Sequence, residues 1–209
     1  MKKLFLSAAV VMSTLTFAQQ FGVKAGMNVS SLSQDASLSD QGSKIGFNAG
    51  VFANIPIAES FSVQPEVLYN NLGSKVYLTE LDINDTTYRT EYARHLDYIS
   101  VPVMLQYNVT PALYLEAGPE VGFLISARDK FKSTENGATE NVVDYELDAD
   151  NFNKFNFGVG LGAGYYFTQN IGLTARYVAG FTDIRDSDNN GDGDSVKNNV
   201  FQVGLAYKF

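Results

Sequence analysis

The chain has 209 residues, with 15 Lys and Arg against 23 Asp and Glu, a formal net charge of −8 and a mean hydropathy of −0.09. The acidic surplus excludes nucleic acid as a partner, and the absence of cysteine excludes disulfide staples and anchoring through an acylated cysteine. Beyond residue 18 no stretch approaches the roughly 20 apolar residues of a spanning helix, so any membrane crossing must be made by strands, whose alternating faces average to neutral hydropathy.

Residues 1–18 read as a cleavable export signal. Lys2 and Lys3 precede an apolar run from Leu4 to Phe17, and Thr16-Phe17-Ala18 offers small residues at a cleavage site. Cleavage after Ala18 leaves residues 19–209 as one β-barrel domain, with 13 basic residues against 23 acidic ones and a net charge of −10.

Period-two alternation then marks the strands in order. The first carries Phe21, Val23, Ala25, Met27 and Val29 on one face and Lys24, Gly26 and Asn28 on the other. The second sets Ile45, Phe47, Ala49 and Val51 against Gly46, Asn48, Gly50 and Asn54, with Phe52 intruding on the polar face. The third sets Phe61, Val63, Val67 and Tyr69 against Gln64, Glu66 and Asn70. The fourth runs through Ile99, Val101, Val103, Leu105 and Tyr107. The fifth sets Leu113, Leu115, Ala117, Phe123 and Ile125 opposite Glu116, Gly118, Glu120 and Gly122. The sixth alternates Phe155, Phe157, Val159, Leu161, Ala163, Tyr165 and Phe167 with Asn156 and four glycines. The seventh sets Ile171, Leu173, Ala175 and Tyr177 against Thr174 and Arg176, and the last sets Phe201, Val203, Leu205, Tyr207 and Phe209 against Gln202, Gly204, Ala206 and Lys208.

Short connections near 56–60, 108–112 and 168–170 alternate with long polar ones near 30–43, 73–94, 128–151 and 182–198. About eight strands of roughly ten residues, with short and long connections in strict alternation, describe an all-β, antiparallel, up-and-down transmembrane barrel with short periplasmic turns and long extracellular loops. A soluble periplasmic ligand-binding barrel is the alternative. It would have to turn Lys24, Glu66, Glu116, Glu120, Arg176 and Lys208 to water and crowd the aromatics into a narrow interior. Pro65, Pro102 and Pro119 fall inside strand patterns and remove ladder donors, so bulges are expected at each.

The chain resembles the porin-like, or PorT-like, outer-membrane β-barrel domain family of Gram-negative bacteria. The resemblance rests on Phe21-Gly22-Val23-Lys24-Ala25-Gly26, Gln64-Pro65-Glu66-Val67-Leu68-Tyr69, Tyr98-Ile99-Ser100-Val101-Pro102-Val103, Glu116-Ala117-Gly118-Pro119, Gly160-Leu161-Gly162-Ala163-Gly164-Tyr165 and the closing segment from Val200 to Phe209. It implies residence in the outer membrane, in contact with its lipid. It also implies that Phe201, Val203, Leu205, Tyr207 and the terminal Phe209 form the signal read by the barrel-assembly machinery.

Three constellations are candidates for chemistry. Asp186, Asp188, Asn190, Asp192 and Asp194 lie around Gly191 in an order that fits half of a calcium loop, but Lys197 stands where a closing glutamate belongs. This makes the loop a weak calcium candidate and otherwise an acidic solvated loop; no other cofactor is expected. Lys24, Glu66, Glu116, Glu120, Arg176 and Lys208 are expected to pair inside the lumen, because charges in so narrow a space must offset their desolvation. His95 stands near Asp97 with no serine or cysteine nucleophile in evidence, so no catalytic residue is assigned. Tyr69, Tyr98, Tyr165, Tyr177, Phe181 and Tyr207 read as an interfacial aromatic girdle. The expected role is that of a non-enzymatic structural or surface-interaction barrel with a narrow or plugged lumen, with a porin-like channel as its rival. The sequence leaves the oligomeric state open.

Overall fold

The computed structural model describes residues 19–34, 42–83, 86–135, 138–147, 153–183 and 196–209. Its strands are β1 (Gln20–Gln34), β2 (Gly42–Ala58), β3 (Phe61–Ile83), β4 (Thr86–Asn108), β5 (Leu113–Glu135), β6 (Ala138–Leu147), β7 (Phe155–Tyr166), β8 (Ile171–Gly180) and β9 (Val196–Lys208). Every pairing is antiparallel, and β1 pairs with both β2 and β9. Because β5 pairs with β4 on one side and β7 on the other, the sheet closes on itself and no edge is left within the ring. Eight strands make that ring, and β6 lies outside it, paired to the upper part of β5 from Ala127 to Glu135.

The alternation places the apolar set outward. Phe21, Phe47, Leu161 and Leu205 are all more than half exposed, whereas Lys24, Glu66, Glu116 and Arg176 are buried inside. Such an inverted arrangement is stable only where the surrounding medium is hydrocarbon. The soluble-barrel alternative needed those aromatic and aliphatic side chains in a common core, and they are on the outer wall.

The structure departs from the sequence reading in four places. The stretch near 73–94 is a hairpin extension, not an open loop: β3 and β4 stay paired up to Ile83 and Thr86. Likewise β5 runs on to Glu135, and 138–147 returns as β6. Both segments are rich in Thr, Tyr and Val, which favour pleated backbone, and their polarity only says that they lie beyond the apolar band.

Pro65, Pro102 and Pro119 introduce no bulges, whereas a register shift against β3 does fall at Pro56. The β3–β4 ladder lapses after Pro65 and resumes at Leu68 in the same register, and the β4–β5 ladder lapses after Pro102 and resumes at Leu105. On the other side of β5, Pro119 pairs with Val159 without interruption. Each ring removes one donor, and the lost bonds leave the register intact. The shifts fall elsewhere, including one between Asp97 and Tyr98 against β5. That shift exchanges the faces of β5: Leu124 points inward below it, whereas Ala127 and Asp129 are buried above it. Finally, Tyr98 belongs to no girdle. It shares parity with Ser100 and Met104 and is buried in the lumen, while Tyr165, Tyr177, Phe181 and Tyr207 remain on the outer wall.

Candidate functional site

The lumen is the feature that eight strands and their inward residues create, and it is filled in three layers. At the end with the short turns, Phe52, Tyr114, Tyr166 and Ala206 form a buried cluster. The Tyr114 and Tyr166 rings lie 6.1 Å apart, and the Lys208 ammonium sits 4.0 Å from the Tyr166 centroid. The glycines of β7 make room for this layer, since a side chain at Gly164 would overlap the Tyr114 ring. Phe52, which looked like an intruder on a polar face, is thus part of the floor.

Above it lies the charged layer. Arg176 on β8 donates from Nη1 to Glu66 Oε2 at 3.0 Å and from Nη2 to Glu66 Oε1 at 2.8 Å. Its Nε donates to Glu116 Oε1 at 2.7 Å, and Lys24 Nζ donates to Glu66 Oε1 at 2.6 Å. Two cations thus balance two carboxylates in a space with no bulk water, the condition under which buried ions are tolerated. Neutral amides fill the remaining acceptor positions: Gln64 donates to Glu66 at 2.7 Å, Gln106 to Glu116 at 2.9 Å, and Asn54 to Gln106 at 2.8 Å.

Two of the six expected members stand apart from these ion pairs. Lys208 belongs to the aromatic floor. Glu120 is buried higher in the barrel, and its Oε2 has no hydrogen-bond partner among the described residues. It borders a cavity of about 10 Å³ shared with Ser100, Asn156 and Asn198, a space the size of one water molecule. The Arg176 guanidinium is already committed to Glu66 and Glu116.

The third layer begins with amides. Asn48 donates to Asn28 at 2.5 Å, Asn28 to Asn70 at 3.2 Å and Asn70 to Ser100 at 3.0 Å. Leu72, Leu96, Leu124, Ala127, Val178, Val196 and Val200, with the Tyr98 ring among them, then close the lumen as a largely aliphatic cap. Sequence reasoning puts Asn28, Asn48 and Asn70 on the polar faces of adjacent strands but does not join them into a network. What single strands do not give is the register that brings the three to one height.

His95 and Asp97 sit on the outer wall, not at a reactive centre. Asp97 accepts from Asn71 Nδ2 at 2.5 Å and from Arg128 Nη2 at 3.0 Å. Among the described residues no group of three or more metal-ligating side chains occurs. The acidic positions Asp186, Asp188, Asn190, Asp192 and Asp194 lie outside the described residues, as do residues 1–18. In β9, Phe201, Val203, Leu205 and Tyr207 face outward; Phe209, just past its end, is exposed too, and its N–H donates to the Phe21 carbonyl at 2.9 Å.

A closed antiparallel ring, apolar outside and polar within, defines a transmembrane β-barrel protein of the outer-membrane class. The chain belongs to the outer membrane protein beta-barrel domain family, which matches residues 17–186. Among solved structures it is similar to Ail, the attachment invasion locus protein of Yersinia pestis, at 15% identity, with 92% of this chain and 100% of that one covered and a TM-score of 0.48. It is also similar to neisserial surface protein A (16% identity, 92% and 99% covered, TM-score 0.49) and to OprG from Pseudomonas aeruginosa (14%, 92% and 96%, 0.43). No curated protein matches the chain.

Proposed function

We propose that the protein is a non-enzymatic outer-membrane barrel whose lumen is a structural plug and whose working surface is its outer end. The observation that carries this reading is the Arg176, Glu66, Glu116 and Lys24 network, held between an aromatic floor and an aliphatic cap. Two cavities in the lumen, one beside Arg176 and one beside Glu120, measure about 10 Å³ each, which admits a single water and no hydrated solute. Porins, by contrast, conduct through the lumens of barrels of roughly 16–18 strands. Membership of the PorT-like branch and reading of β9 by the barrel-assembly machinery belong to the same proposal, supported by the outward apolar face that ends on Phe209.

Liposome swelling tests it. Vesicles carrying the purified barrel should swell in small sugars no faster than protein-free vesicles. Faster swelling would contradict the plug and favour the channel.

A further inference from the structure

β3, β4 and β5 continue past the apolar band, and their outer faces change character at one level. Just above Phe47, Tyr69 and Ile99 runs a polar collar in which Lys44 donates to Asn71 and to the Leu72 carbonyl at 2.9 Å, while Asp97 receives Asn71 and Arg128. Lys44 reaches this position beside Gly73, whose φ of +137° and missing side chain leave the passage clear.

Above the collar the outer wall hollows into a cavity of about 480 Å³ whose lining includes Lys44, Ile45, Lys75, Glu91, Lys130 and Lys132. Lys130 and Lys132 face outward only because the shift at Asp97/Tyr98 exchanges the faces of β5. Four lysines thus line a cavity with one acid, Glu91, which Lys75 already holds at 2.5 Å. Lys130 and Lys132 have no hydrogen bond or ion pair among the described residues. Outside the cavity, Asp144 stands opposite Lys130 and Glu146 opposite Arg128, whereas Lys132 faces Val142. A concentration of lysine on a chain with excess acid is a site for an anion, and lysine acts on phosphate as a point charge.

The lower lip narrows the ligand further. Ile45 is 66% exposed and continues the apolar band, so the cavity is cationic above and apolar below. That polarity matches an anionic amphiphile at the height of a headgroup, where each basic residue attracts an anionic surface.

We infer that this cavity binds the phosphorylated headgroup of an outer-leaflet glycolipid. The inference rests on the membrane orientation given under the proposed function, with β3 to β5 extending outward. The probe is a fluorescent bisphosphorylated lipid A, titrated into the purified full-length barrel in nonionic detergent beside its dephosphorylated form. The phosphorylated probe should bind about tenfold more tightly, and the variant Lys130→Gln with Lys132→Gln should lose that preference. The variant Lys130→Arg with Lys132→Arg should keep it, as should Lys154→Gln, which removes one charge elsewhere. Heat-modifiable migration of each variant reports that the barrel is intact.

Equal affinity for the two probes, or an unchanged glutamine variant, overturns the inference. Displacement of the probe by millimolar inorganic phosphate also overturns it, by assigning the site to a free anion. Retention of the protein in carbonate-washed membranes reports separately on the membrane reading, so the two can fail independently.

Discussion

Arg176 and Glu66, 110 residues apart in the chain, meet inside the barrel through two parallel hydrogen bonds of 3.0 and 2.8 Å. Both side chains are almost wholly buried, so this pair and the Glu116 and Lys24 contacts around it fasten β8, β3, β5 and β1 across the lumen. The bidentate geometry suits arginine and cannot be reproduced by a point charge.

Removing the guanidinium should therefore be costly. Arg176→Met leaves Glu66 and Glu116 facing one lysine, and breaking a buried pair in this way costs about 3–5 kcal/mol. The guanidinium-chloride midpoint of the refolded barrel should fall accordingly, and Arg176→Lys should fall less. A midpoint equal to that of the parent would show that the network contributes nothing.

The floor offers a test of packing. Gly164→Val drives a branched side chain into the Tyr114 ring, and overpacking of this kind costs about 1–3 kcal/mol. Adding Tyr114→Ser should recover part of the loss. Thermal unfolding of the single and double variants measures both, and additive losses would deny the contact.

Acid and alkali should loosen the outer hairpin from opposite ends. Asp129 accepts from Arg94 Nε at 2.9 Å and Nη2 at 2.8 Å and from the Tyr92 hydroxyl at 2.5 Å. Burial pushes its carboxyl up, but those donors and the Arg94 charge prevail and hold it below the usual aspartate range. Burial and the hydrogen bond to Asp129 push the Tyr92 hydroxyl up to about 12. A lowered carboxylate stabilises the fold above its unfolded pKa and loses that contribution as pH falls through the folded value. A raised phenol stabilises it below the unfolded pKa and loses the contribution as pH rises through about 12. Hydrogen exchange of β6 amides, corrected for intrinsic rates, should show greatest protection between about pH 4 and 10. Asp129→Asn should abolish the acid limb, and a flat profile in the parent would contradict the assignment.

Phe209→Ser removes the outward aromatic just past β9, which is 74% exposed and packs edge-on against Tyr207 at 5.6 Å. The fraction of heat-modifiable barrel in the outer membrane should drop while export continues. Undiminished assembly would refute the role assigned to this residue.

Much of the barrel is legible in the sequence because a transmembrane strand must alternate, and alternation survives without any knowledge of partners. The row from Phe155 to Phe167 and the inward parity of Lys24, Glu66 and Arg176 are of this kind. What stays hidden depends on register between strands. The shift at Asp97/Tyr98 moves Lys130 and Lys132 to the outer wall, and no local pattern announces it. Tyr98 reads as an interface residue from its chemistry, while its parity points inward. The hairpin ends of β3 to β6 read as loops because their strand-forming residues lie beyond lipid, where no apolar face is required.

Closure of the lumen is open to direct measurement by single-channel recording of the purified protein in planar bilayers. A plugged barrel stays silent at voltages where the bilayer is intact, with insertion verified by protease protection of the reconstituted protein. Reproducible discrete openings from the parent protein would contradict it.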